Sequence, residues 1–445
     1  MTKYSKLTLA AAAVAALACT STTALAQSAD ALIDKLVDKG VLTVKEANDL
    51  REEADKNFTT AYSVKSGMPE WVTALKFNGD VRGRYESFTY ENEGTPGRDR
   101  FRYRTRFGIT ATLKDNFEVG IRLGSGDLDG GVPTGGIDPV SNNQSLQNNG
   151  SKKGIFLDLA YGKWTPLNTP EWTGSVTAGK MENPFVFPST MVFDKDYTPE
   201  GAALELAYRA SDQHTLKFTG AGYVLDELST DANDPFVAGA QLRWDAAWAP
   251  HFSSSMGVSY WGITAGQNLG NGAVPNLGSG NTRGTNGVLA SNFTPIQVDA
   301  ALTYTMDKFP LYPLAFPITV FGEYIDNTSA SDKNIGYAGG LTFGKSGKKG
   351  TWDVSYQYRN LEGDAWYEEF TESDFGANYL TAPAGGSTGY RPGTNVRGHI
   401  LKAQYSPYDS LTLGVTYWLT DLIDENPAGS KGGAGRLQVD AVLKF

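Results

Sequence analysis

Thiol and imidazole chemistry have almost nothing to work with in this chain: one cysteine, Cys19, and three histidines, His214, His251 and His399, stand among 445 residues. One Cys cannot close an internal disulfide, and no His, Cys or Asp group has metal-ligand spacing. None of the histidines lies near a Gly-flanked nucleophilic Ser. His214 follows a turn, His251 sits in one and His399 opens a strand, so interfacial or solvated rings are expected. No catalytic residue, no metal and no cofactor is expected, and the chain is read as no enzyme. An excess of positive charge is also missing. The net charge is −10, which removes the basic field that nucleic acid requires. The glycines near 268–287 do not lead from a strand into a helix, which argues against a phosphate-cradling loop. Beyond the first residues there is no run of 18 apolar residues, and mean hydropathy is −0.33. That excludes a helical membrane protein. It leaves a β-barrel open, because barrel strands alternate and never look hydrophobic in a long window.

What is abundant is Gly (51), Tyr (22) and Phe (21), with nine Trp, a composition of strands and turns. The N-terminus reads as an export signal over 1–26. Lys3 and Lys6 precede an Ala-rich apolar stretch, Leu7 to Leu17, and Ala24-Leu25-Ala26 is an A-x-A cleavage site, so the mature chain is expected to start at Gln27. Cys19 raises a lipoprotein alternative, but a lipobox wants Leu three residues earlier, where Ala16 stands. Residues 28–57 place Leu32, Leu36 and Val37, then Val44, Ala47 and Leu50, at helical spacing. Gly40 interrupts them, and Thr43 to Glu46 forms a capping box. A short helical hairpin within a periplasmic segment, 27–70, is expected. It is either a plain appendage or a contact to the cell wall or to neighbouring subunits.

From Leu75 the period becomes two. Phe101, Tyr103, Thr105, Phe107, Ile109, Ala111 and Leu113 line one face, opposite Arg102, Arg104, Arg106, Gly108, Thr110 and Thr112. Thirteen alternating residues suit a tilted membrane strand better than a sandwich strand. Sixteen such segments follow, from 75–89 to 436–445. Short links such as Lys114–Asn116 and Ser346–Gly350 alternate with long ones at 128–152, 182–200, 266–294 and 361–395. The expected fold is all-β: a transmembrane antiparallel β-barrel of about 16 strands over 71–445, in the bacterial outer membrane, with both termini on the short-turn, periplasmic side. Lipid and lipopolysaccharide are then its surroundings. The last strand alternates Leu437, Val439, Ala441 and Leu443 up to Phe445. It closes the barrel on one reading. It is also similar to the assembly signal that the barrel-assembly machinery reads in outer-membrane proteins.

The densest charge pattern is basic. Arg82 and Arg84 on the first strand, Arg100, Arg102, Arg104 and Arg106 on the second and Arg122 on the third all lie opposite apolar rows. A guanidinium facing lipid at mid-membrane costs roughly 2–4 kcal/mol, so these side chains are expected on the lumenal wall. One reading makes them wall residues held by carboxylates such as Asp80, Glu86 and Glu118. The other makes them a ladder that selects solutes, since Arg keeps its charge and offers a planar fork to carboxylate or phosphate.

A second constellation follows the fifth strand: Gly179-Lys180-Met181-Glu182-Asn183-Pro184-Phe185, then Phe193-Asp194-Lys195-Asp196-Tyr197-Thr198-Pro199-Glu200-Gly201. With these stretches, the arginines and the terminal Phe, the chain over 71–445 resembles bacterial porins, in particular the putative-porin family and the related phosphate-selective porins. The resemblance implies a water-filled channel for passive diffusion of small polar or anionic solutes, a homotrimer, and a third loop that folds inward to narrow the barrel. Asp194, Asp196 and Glu200 would then face the arginines across the constriction. A lysine-rich cluster of the phosphate-selective kind is missing. The acidic residues of 361–395, from Glu362 to Asp374, are expected on a solvated outer loop. Two rival readings stay open: a barrel that only anchors the membrane to the cell wall, and an outer-membrane barrel enzyme.

Overall fold

The computed structural model describes residues 67–91, 97–126, 139–270, 279–284, 287–376, 393–424 and 433–445. The expected signal segment, Cys19 and the 28–57 hairpin lie outside them. The chain divides into two units, 1–74 and 75–445, and the second is the barrel.

Alternation at period two makes the strands, because a pleated strand sends successive side chains to opposite faces. In chain order they are β1 (Val72–Tyr90), β2 (Arg98–Leu113), β3 (Phe117–Gly126), the two-residue β4 (Gln144–Ser145), β5 (Gly154–Asn168), β6 (Trp172–Lys180), β7 (Glu200–Arg209), β8 (His214–Val224) and β9 (Phe236–Ala249). Then come β10 (Phe252–Thr264), β11 (Pro295–Met306), β12 (Phe316–Asn327), β13 (Ile335–Gly344), β14 (Thr351–Leu361), β15 (Val396–Tyr408), β16 (Leu411–Leu422) and β17 (Ala434–Lys444). All but β4 form one antiparallel ring, closed where β1 meets both β2 and β17. The β1–β17 register runs from Asp80↔Lys444 to Tyr90↔Ala434. Closure leaves no unpaired edge, which is what lipid demands of a sheet.

The chain end completes the seam. The Phe445 N–H donates to the Gly79 carbonyl at 3.1 Å, and the Gly79 N–H to that of Phe445 at 3.0 Å. A Cβ at Gly79 would meet the Phe445 ring at 2.6 Å, so only glycine leaves room for it. Links at that end are tight. Lys114–Asn116 turns in three residues, with Asp115 and Asn116 at φ +62°, a region these residue types tolerate. Around the same end, outward rings meet in pairs: Phe117 stacks on Trp164 and Trp172 on Tyr208, while Trp244 meets Trp248 edge to face. This is one aromatic girdle of a membrane barrel.

The opposite end departs from what the sequence implies. Residues 362–376 are not a solvated outer loop: Trp366, Tyr367, Phe370, Glu368 and Glu369 are buried. They pack with the 181–199 loop and with Tyr223, Val237, Trp261, Ile263, Ile325 and Leu361 of the strand ends into one apolar core. Trp261 sits at its centre, with Phe185 at 5.6 Å, Trp366 at 5.4 Å and Phe193 at 6.1 Å between ring centroids. A Cβ at Gly239 would fall 2.0 Å from the Trp261 ring, so this glycine makes the notch in which the indole lies.

Candidate functional site

The lumenal face of β1 presents Asp80, Arg82, Arg84 and Glu86, and that of β2 presents Arg100, Arg102, Arg104 and Arg106. All four β1 residues are buried. Burying charge is tolerable only with partners, and the closing strand supplies the first of them. Asp440 lies opposite Arg84 in register and receives its fork at 2.7 and 2.8 Å. Glu86 accepts from Arg100, from Arg436 at 2.7 Å and from Gln438 at 2.9 Å. Arg102 lies 3.9 Å from the same carboxylate and donates to the Asn143 carbonyl at 3.2 Å. Asp80 accepts from Arg104 at 2.9 Å and from Arg106 at 2.7 Å. Arg122 meets Asp158 and Glu182. A bulge opposite Arg122 breaks the β3–β5 register at Asp158. Arg82 differs: its Nη2 donates to Asn143 Oδ1 at 2.5 Å, while its buried Nε has no partner.

The loop 181–199 provides the facing side. Phe193 and Val192 fix it in the apolar core, and the Trp366 indole N–H donates to the Val192 carbonyl at 2.9 Å. Gln241 and Arg243 of β9 both donate to the Val186 carbonyl, at 3.0 and 2.7 Å. Ser189 donates to Glu323, and Thr190 accepts from Arg359 at 2.9 Å. Held this way, the loop presents Asp196 to Arg104 at 3.0 Å and Arg106 at 3.1 Å. Burial alone would raise the Asp196 carboxyl, but Arg104 and Arg106 over-compensate and hold it low. Asp194 lines the same cavity but makes no ion pair with the arginines. It accepts the N–H groups of Asp196 and Ser373, both at 2.8 Å, and burial with the Asp196 charge pushes its carboxyl up.

Three sequence expectations are corrected in this geometry. Glu200 does not reach the arginines; it lies exposed at the root of the loop, 3.1 Å from Lys180 in register. Asp194 carries no arginine contact. Glu118 accepts from Tyr161 at 2.8 Å instead of holding an arginine. The structure adds two residues that the sequence reading did not place at the site. Asp440 was legible as the inward member of the last strand's alternation. Asp374, which pairs with Arg436 at 2.8 Å and Arg84 at 3.4 Å, comes from the 362–376 loop and left no local signal. Burial would raise Asp374, but Arg436 and Arg84 hold it down at about 2. Between the two sides lies a cavity of about 810 Å³ lined by eight cationic side chains and seven carboxylates, including Arg82, Lys195, Asp196, Asp374 and Lys402.

The histidines lie away from this cavity. The Trp244 indole donates to His214 Nδ1 at 3.3 Å, and His399 shares a 2.8 Å hydrogen bond with the Tyr356 hydroxyl. Among the described residues, no three His, Cys, Asp or Glu side chains are grouped to hold a metal ion.

A family model described as Putative porin matches residues 92–268 and 285–445. No curated protein matches the chain. Among solved structures, the chain is similar to OprB of Pseudomonas putida in its high-pH form, at 10% identity and a TM-score of 0.51, over 83% of this chain and 94% of that one. It is also similar to OmpF of Salmonella typhi in complex with daunomycin, at 11% identity and a TM-score of 0.47, over 83% and 97% of the two chains. At these identities the likeness concerns the fold alone.

Proposed function

The chain belongs to the putative-porin family, whose members form outer-membrane channels for passive diffusion, and from that premise we propose that its solutes are sorted between the arginine wall and the inward loop. One observation carries this reading: the 181–199 loop lies inside the barrel, bonded through Asp196 to Arg104 and Arg106, beside a cavity bordered by both sides. Sixteen strands leave a lumen too wide for side chains alone to fill, so a loop that crosses it sets the free section. The arginines are best read as anchors of that loop. Arg84, Arg100, Arg102, Arg104, Arg106 and Arg122 each have a carboxylate within 4 Å, and paired charges cancel at a distance. The channel therefore passes small polar solutes by size first and by residual charge second.

Further parts of this reading rest on the resemblance and on the sequence pattern. We infer a homotrimer, an export signal over 1–26, a periplasmic segment over 27–70 whose 28–57 hairpin contacts the cell wall, contact with lipopolysaccharide, and Phe445 as the residue read by the barrel-assembly machinery. The family and the fold point to a non-enzymatic channel.

The purified protein, reconstituted in planar bilayers and in liposomes, tests the proposal. Ohmic conductance is expected, with swelling in neutral sugars that falls off with size. A barrel that inserts without conducting would make the anchor reading the correct one.

A further inference from the structure

The lumenal wall away from the arginines is built differently. Lys402 of β15 points into the cavity, and its register partners on both sides are hydroxyl residues, Ser355 of β14 and Thr416 of β16. Directly opposed side chains are the nearest neighbours across a sheet, and neither of these is a carboxylate; the diagonal Asp353 is engaged by the Ser346 N–H at 2.9 Å. Lys195 lies exposed on the inward loop and lines the same cavity. Its sequence neighbours Asp194 and Asp196 are engaged elsewhere, with backbone N–H groups and with the arginines. Neither lysine has a hydrogen-bond or ion-pair partner among the described residues. Arg82 joins them with a buried, unpartnered Nε, in a side chain only 9% exposed.

Two like charges facing one water-filled space repel each other, and a mobile anion between them relieves that repulsion. The arginine wall cannot bind such an anion without giving up a carboxylate. We propose that Lys402 and Lys195, backed by Arg82, form the anion-binding step of this channel, and that it takes small carboxylates bearing hydroxyl groups. The carboxylate meets the ammonium groups, while Ser355 and Thr416 exchange hydrogen bonds with the solute hydroxyls. Lysine is a hydrated point charge on a flexible stem, so the anion is held weakly and leaves, as conduction requires. This inference rests on the channel reading above.

Single-channel recording in KCl with added sodium gluconate tests it. The unaltered channel should conduct, lean toward anions in a salt gradient and be partly blocked by gluconate. Lys195→Gln with Lys402→Gln removes two unit charges and should raise the half-blocking concentration about 25-fold, about fivefold for each charge at close range in a watery site. It should also move the reversal potential toward cations. Lys195→Arg with Lys402→Arg should keep both properties. If Lys402→Gln prevents assembly, Lys195→Gln alone should still weaken the block, since that side chain is exposed on the loop. An unaltered channel that conducts but is indifferent to gluconate, or a Gln variant with unchanged block and reversal potential, overturns the inference and leaves the channel standing. A protein that does not conduct at all overturns the channel reading itself.

Discussion

The arginine wall and the aromatic core occupy one lumen and solve the same problem in opposite ways. Each must hold the inward loop in a space that would otherwise be water. On the β1–β2–β17 side the solution is charge: Asp80, Asp196, Asp374 and Glu86 are each shared between arginines, and Asp440 holds Arg84 through both oxygens. On the opposite side it is apolar burial, with Trp261, Phe193, Trp366 and Phe370 all buried. Burial is non-directional and scales with area, so the core fixes where the loop lies. Charge pairs are directional and answer to pH and salt, so the wall fixes which atoms face the pore.

That contrast predicts a ranking of effects. Trp261→Ala should do the most damage. Emptying a central aromatic site costs about 3–5 kcal/mol, enough to free the 181–199 loop while the barrel's own ladder persists. Single-channel conductance should rise and become noisy, and unchanged conductance would show that the loop is held by the arginines alone. Asp196→Asn should matter less, by about 1–3 kcal/mol, because Arg104 and Arg106 keep Asp80 as a partner. Its signature is selectivity: the lumen loses one negative charge, so the reversal potential should shift toward anions. A shift toward cations would mean that the freed arginines are not exposed to the permeating ion.

Acid should produce the smallest effect, and its sign is fixed by Asp374. This carboxyl is held at about 2, below the ordinary value near 3.9. Its pairing with Arg436 and Arg84 therefore contributes fully above about pH 4 and is lost as pH falls from there toward 2, on the order of 1–2 kcal/mol after screening. Loop 362–376 should loosen over that window, seen as growing conductance fluctuations. Asp374→Asn should flatten the dependence between pH 4 and 2, and a variant that still titrates there would place the response on another carboxylate.

The strands were legible in the sequence to within a few residues: the expected 75–89 and 436–445 fall on β1 and β17, and the expected short link Lys114–Asn116 is the turn between β2 and β3. Period two is a local property, and a lumen and a lipid face impose it along the whole chain. The inward direction of the arginines followed from the same rule, because lipid forbids the alternative. Their balance did not follow, since Asp196 and Asp374 reach them from loops whose paths depend on distant contacts. The aromatic core left only a faint trace, at strand ends such as Tyr260–Ile263 where the inward positions are apolar as well. No local rule says that such ends meet, or that 362–376 enters the barrel to meet them.

The sequence by itself thus determined the closed antiparallel barrel, its lipid face and the side on which each wall residue stands, because alternation and the cost of charge in hydrocarbon act on each strand separately. Only the tertiary structure decided that Arg104 and Arg106 are neutralised while Lys402 is not. Which charge finds a partner depends on register across the ring and on where two long loops come to rest, and those are set by the burial of aromatic rings that lie far apart along the chain.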